Sequence, residues 1–321
     1  MRAYVVRRLV LMLPTLLLVT FLSFMLLRLV PGDTLTAQIQ SSGLSGTQYS
    51  QERLQGLRKQ LGIDGSIPSQ FGRWINGLAH GDFQRSFLTN KDTLHQFKER
   101  MSPTIELGLL AVSFSVLVGI PLGLLSGVYQ DSLVDYVARF FGILALAVPN
   151  FWLALLVIVF ASRWFGYAFP RGSHPLFSQP WTNLQQFVVP ALVVAAASAG
   201  LVMRLMRTSI LEVLRQDYIR TARAKGLWLR RIIARHSLKN ALIPVITIVG
   251  AQLTALIAGS IIVEQIFNLR GVGQLTLTSI SQRDYPQVQT NVLIFSVVLV
   301  VGNLLTDLAY GLIDPRIRFS T

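Results

Sequence analysis

The sequence predicts an all-α polytopic membrane protein, a bundle of six transmembrane helices. Three observations carry that class. Of 321 residues, 52% are hydrophobic and only 14% charged, against about 25% charged in a soluble domain. The charge is gathered into short stretches, and these leave six apolar runs near the ~20 residues that a helix needs to cross a bilayer. The basic clusters between those runs can all be placed on one face of the membrane, except for one long loop, as the positive-inside rule requires.

The first run covers residues 9–30, after a basic start at Arg2, Arg7 and Arg8. A signal peptide has an apolar core of about 7–15 residues. This run is longer and continues into "PGD" rather than a small-x-small cleavage site, so it reads as a retained helix. Residues 31–100 form the one sizeable polar loop. It carries "SSGLSGTQYSQ", which reads as a turn or mobile segment, then an expected amphipathic helix over 51–61 with Leu54, Leu57 and Leu61 on one face. Trp74, Phe83 and Phe87 suit the membrane interface.

The second span is expected over 103–128, with Ser102 as cap, Pro103 in the first turn and Glu106 near the positive helix end. The third covers 137–160. The fourth covers 187–206 and contains "AAASAG", small residues that let helices approach closely. The fifth covers 241–262 and the sixth 292–313. Pro121, Pro149, Pro190 and Gly250 lie within these spans and are candidate bending or gating positions, because neighbouring helices can re-satisfy a broken backbone. Arg139 and Glu264 sit at span edges, where snorkelling accounts for them. Asp307 is an acid near the middle of the sixth span; with Asn303 one turn away it forms a candidate intramembrane polar pair.

Orientation follows from residues 207–240, which hold nine Lys and Arg against only Glu212 and Asp217. Placed in the cytoplasm, this loop puts the N-terminus there and, with Arg316 and Arg318, the C-terminus as well. Loop 31–100 then falls outside, which its basic residues do not forbid, since loops beyond ~60 residues translocate largely regardless of charge. The net charge of +14 would point to nucleic acid in a soluble chain. Here no basic patch carries interleaved aromatic residues on a soluble domain, and nucleic acid is not an expected partner.

There is no cysteine, which excludes disulfides, thiolate metal sites and cysteine nucleophiles. His80, His95, His174 and His236 show no helical pair spacing, so no metal site is expected. No G-x-x-x-x-G-K-[ST] loop is present to cradle ATP phosphates.

The stretch "QDYIRTARAKGLWLRRIIARHSLKNALIP" at 216–244 admits three readings: a nucleic-acid contact, a charged loop that only sets topology, or a docking element. Asp217 is a reasonable N-cap and Gly226 a reasonable stop for a helix through "YIRTARAK". Beyond it, Leu229, Ile232 and Ile233 oppose Arg231, Arg235 and Lys239, as in a second helix lying on the membrane surface. Pro244 then marks the entry to the fifth span. Two short helices around a glycine are more organised than orientation needs.

This segment resembles the cytoplasmic "EAA" loop of ABC importer permeases, in particular the dipeptide and oligopeptide branch. "TARAKG" and, after nine intervening residues, "HSLKNALIP" carry the likeness. Arg220 stands where the general motif has an acid, and Leu238-Lys239 where Leu-Pro is usual; the peptide branch shows the same replacements. "RRLVLMLPTLLLVTFLSFMLLRLVPGD", "LRKQLGID", "GDFQRSF", "EQIFNLRGVGQL" and "LIDPRIR" are similar to that branch in the same order, with Thr34 for proline and Gln84 for glycine.

The resemblance implies a type I ABC importer-like permease in a bacterial or archaeal-type plasma (inner) membrane. It is a transport subunit and no enzyme, carrying di- or oligopeptides. Its partners would be a second homologous permease, two ABC ATPase subunits that bind ATP and Mg, an extracytoplasmic binding protein and membrane lipid. This chain itself holds no cofactor. Asp217, Arg220, Thr221, Ala222, Arg223, Ala224, Lys225 and Gly226 are the expected ATPase-coupling residues. Nickel, glutathione or another small solute is the alternative cargo. An ion-coupled secondary transporter is the rival class, and would show several intramembrane ionisable residues and an internal repeat.

Overall fold

The computed structural model describes residues 2–29, 55, 56, 59, 64–172, 174–259 and 261–313, with the side chains of 2–7, 9, 253–259 and 307–313 outside that description. Among the described residues every regular element is a helix, with no strand. Two compact units are built from them. The first comprises Met1–Ser102 and Gly271–Val300, the second Pro103–Arg270 and Val301–Ser320. Among the described residues, five helices are long and apolar enough to cross a membrane, and a sixth span arises if one bent pair counts as one.

In the first unit, α1 (Arg2–Leu29) and α2 (Ile67–Ala79) pack through aromatic rings. Phe24 stacks on Trp74 at 5.7 Å and meets Phe71 edge-on at 5.1 Å. Trp74 is therefore buried inside the protein, its ring covered by Phe24 and Phe71 rather than open to its surroundings. The expected helix over 51–61 lies outside the described residues except at Gln55, Gly56 and Lys59.

Helix α3 (Thr93–Val128) starts ten residues before the expected second span, and Pro103 lies inside it. The reason is a stronger cap upstream: Asp92 Oδ1 accepts the His95 N–H at 2.7 Å. Thr93 Oγ1 shares a hydrogen bond with Thr290 Oγ1 at 2.9 Å. The latter belongs to α12 (Tyr285–Ile313), which also starts before its apolar run. Gln287 Nε2 donates to Asn291 Oδ1 at 2.8 Å, and Asn291 Nδ2 to Thr276 Oγ1 on α11 (Val272–Ser281) at 2.8 Å. Buried amides that satisfy one another in this way hold a polar end onto an apolar rod.

The second unit is organised around the helix that holds the fourth span, Pro180–Leu214. Its Ala191, Val194, Ala195, Val202, Met206 and Ile210 are buried at helical spacing. Gly119, Gly123 and Gly127 of α3 face it. A methyl group built on Gly119 would stand 2.8 Å from the Ala199 carbonyl oxygen, so only hydrogen fits there. The third span is not one rod. It is α4 (Leu133–Ala147) and α5 (Asn150–Phe165), bent through 100°. Pro149 lacks the N–H that would continue α4, and its φ of −63° starts α5. The Pro180–Leu214 helix follows as α6.

Asp135, fully buried on α4, is held by α6. Arg207 donates from Nε and Nη2 to its two oxygens at 2.8 Å each, Ser126 Oγ donates at 2.6 Å and the Asp131 N–H at 3.0 Å. Arg139 joins at 3.4 Å. Glu264 is also fully buried, and accepts from Thr104 Oγ1 at 2.8 Å. It does not snorkel: the carboxyl stays inside, where a hydroxyl donor offsets part of the cost of its burial.

Candidate functional site

The basic segment begins with α7 (Asp217–Ala224). Gln216 is the N-cap, extended at φ −70° and ψ 149°, one residue earlier than expected, and Asp217 occupies the first turn. Its carboxylate meets Arg220 Nη1 at 3.3 Å, an exposed pair of little energetic weight.

The C-terminus of α7 closes in a Schellman motif. Gly226 has φ +76°, the left-handed conformation that glycine adopts at no steric cost. Its N–H donates to Arg223 O at 2.9 Å, and the Leu227 N–H donates to Ala222 O at 3.3 Å. Ile219, Ala222 and Ile232 form a small buried core with Leu214 and Leu227 against it. This core welds α7 to the end of α6 and to α8 (Leu229–Ile232). Tyr218 Oη also accepts from Asn240 Nδ2 at 2.9 Å.

The structure therefore divides the expected coupling residues into two groups. Of the expected residues Ala222 alone faces inward, beside Ile219, which was not among them, while Asp217, Arg220, Thr221, Arg223, Ala224, Lys225 and Gly226 are exposed. Two exposed rings were absent from the expected set. Trp228 is 85% exposed and Tyr218 44%, both between arginines. A tryptophan in a polar stretch, one residue after the glycine stop region, was the signal.

No separate surface helix exists over 229–243. Residues α8, a π turn (Ile233–Ser237) and α9 (Leu238–Gly259) form one helical run, and Pro244 lies inside α9. The Leu238 N–H donates to Ile233 O, one residue further back than in an α-helix. The Ser237 hydroxyl donates to Ile232 O at 3.3 Å. The basic turns are thus the first turns of the fifth span, because the apolar face of Ile232 is covered by α7 and not by lipid.

Of the candidate bending positions, Pro149 lies at the 100° break. Pro121 and Pro190 lie within unbroken α3 and α6. Gly250 lies within α9, where a methyl group would stand 3.2 Å from Thr306 Cγ2. Asn303 is exposed, and the side chain of Asp307 lies outside the described ones.

Comparison with known proteins supplies the decisive observation. Residues 119–319 match the model of the binding-protein-dependent transport system inner membrane component, and residues 1–107 match that of its N-terminal part. The chain belongs to this family. It is a permease subunit of an ABC transporter and an inner membrane component.

The permease is 34% identical to the dipeptide transport system permease protein DppB of Escherichia coli (strain K12), over 99% of each chain. It is 35% identical to the oligopeptide transport system permease protein AppB of Bacillus subtilis (strain 168), over 99% of this chain and 100% of that one. Among solved structures, its fold is like that of an amino acid ABC transporter crystallised with histidines, with a TM-score of 0.53 and 18% identity over 68% of this chain and 94% of that one. The inward facing MetNI methionine ABC transporter gives a TM-score of 0.53 and 15% identity over 69% and 97%.

Proposed function

We propose that this permease moves di- or oligopeptides across the plasma membrane of a bacterial or archaeal-type cell, as one of two permease subunits. Separate ATPase subunits bind ATP and Mg and drive it, and an extracytoplasmic binding protein delivers the cargo. Full-length likeness to dipeptide and oligopeptide permeases supports the cargo. The observation that carries the mechanism is the welded basic elbow: α7, stopped at Gly226 and packed through Ile219 and Ala222 onto Ile232.

Such an elbow can receive force. Arg220, Arg223, Lys225, Tyr218 and Trp228 present charge and rings outward, the combination that anchors protein interfaces. A push on α7 passes through its inner face to α6 and to the α8–α9 run together, because a packed core shifts as a body rather than deforming. Movement of those two spans would alternate access to a pathway. This chain needs no ATP site of its own, since the energy enters at the elbow.

The test is a reconstituted complex in liposomes carrying the binding protein. Di- and tripeptides should stimulate ATP hydrolysis and accumulate inside. Stimulation by nickel or glutathione and not by peptides would replace the cargo. Uptake driven by an ion gradient without the ATPases would sink the whole reading.

A further inference from the structure

Among the described residues, a cavity in the first unit is lined by cations, amides and aromatic rings, and by no carboxylate. Its volume is about 230 Å³. At ~30 Å³ per water that exceeds a single structural water several-fold, yet it is too small for a peptide of several residues.

Its cations come from three elements. Arg28, in the last turn of α1, donates from Nε to Gln70 Oε1 at 2.8 Å and lies 3.5 Å over the Phe24 ring. Among the described residues its partners are neutral. Arg73 of α2 meets Asp64 at 3.0 Å, and Asp64 is not part of the lining. Lys59 is exposed and also lines the cavity.

Two further donors have nowhere to go. Trp74 is 2% exposed and its Nε1 has no hydrogen-bond partner; Gln289 is 2% exposed and its Nε2 has none either. Both residues line the cavity. An indole N–H can only donate, and a buried donor without an acceptor is unfavourable unless something supplies one.

Asp284 is engaged elsewhere. Asp284 precedes α12, whose first turn contributes Tyr285, Pro286 and Gln289 to the lining. Its carboxylate is occupied by Ser86 Oγ and by the N–H groups of Phe87 and Gln287.

We propose that this cavity is an oxyanion site, taking a phosphate or carboxylate group. Arg28 and Arg73 supply charge-assisted donors, and Trp74 and Gln289 supply neutral ones after a small side-chain adjustment. Arg28 ends an apolar run of α1, at headgroup depth, so the phosphate of an anionic phospholipid is the favoured source. The carboxylate of a small solute shares the chemistry.

The experiment uses the full chain purified in detergent, with Trp74→Phe and Arg28→Gln variants. Trp74→Phe keeps the ring stacked on Phe24 and removes only the N–H, so it remains informative if Arg28→Gln fails to fold. Native mass spectrometry with phosphatidylglycerol and phosphatidylcholine reads the lipid source. Thermal shift with inorganic phosphate and with trialanine reads the soluble source. Retention of phosphatidylglycerol about fivefold or more above phosphatidylcholine, reduced severalfold in Trp74→Phe, supports a headgroup site. A shift with phosphate or trialanine in the wild type, lost in Trp74→Phe and with no lipid preference, supports a soluble carboxylate or phosphate. Equal behaviour of wild type and Trp74→Phe toward every probe overturns the site.

Discussion

Gly226 is open to solvent, and a methyl group there would meet nothing within 4 Å. Substitution is penalised by its φ of +76° alone, at roughly 1–2 kcal/mol for an ordinary residue. Gly226→Asn, which tolerates this conformation, should keep most transport. Gly226→Leu should leave the chain inserted and complexed but lower peptide uptake severalfold relative to ATP hydrolysis, read in the same vesicles. Normal uptake by Gly226→Leu would remove the elbow from the mechanism.

Asp284 makes a different kind of prediction. Burial raises its carboxyl above the usual range, opposed by hydrogen bonds from Ser86 and from the Phe87 and Gln287 N–H groups. A raised folded value means that the fold favours the protonated form. The contribution is complete below the ordinary carboxylate value and is lost as pH rises from there through the raised one. Thermal melts of the purified chain should show this loss in the wild type, and Asp284→Asn should flatten it. An identical slope in both would mean that Asp284 does not titrate in that window.

At the scale of elements, contacts between helices rest on absent atoms as much as on present ones. Gly119, Gly123 and Gly127 recur every four residues, so they form one stripe along α3 against α6. Gly123→Val should cost about 1–3 kcal/mol by overpacking, seen as a lower melting temperature. Gly72→Ala on α2, where a methyl group would meet nothing within 4 Å, should not. The Asp135 cluster binds the first turn of α4 to α6. Asp135→Asn leaves Arg207 without its charge partner and should cost about 3–5 kcal/mol; a melt within 1 kcal/mol of wild type would show that the pair is dispensable.

The stripe is legible in the sequence as glycines four residues apart, although nothing local says which helix it faces. The break at Pro149 shows why composition locates a span better than its shape. An apolar run measures length, whereas direction is set by one missing N–H and by a carboxylate 14 residues upstream that fastens the preceding rod.

For the whole molecule, six apolar runs, their order and the basic elbow could be read from sequence, since each depends on local composition. Helix starts could not. Thr93, Tyr285 and Leu229 lie outside the apolar runs, and their helicity depends on Asp92, on the Gln96–Gln287 amide pair between distant segments and on the cover of α7. The arrangement of charge predicts both termini and residues 217–226 on the cytoplasmic side. The chain has no cysteine, so single cysteines at Arg2, Lys225 and Thr321 can be labelled without a background. All three should react with a membrane-impermeant maleimide only in inverted vesicles; reaction at any of them in intact cells would reverse that part of the topology.

The π turn at Ile233–Ser237 bears on this geometry in one more way. It accommodates one residue beyond what α-helical winding uses, and each residue of such winding turns the chain by about 100°. Removing a single residue from the turn would keep the rod continuous yet swing every arginine before it round by more than a quarter-circle relative to the bundle. The direction in which the protein offers its charge is in effect indexed by one surplus amino acid.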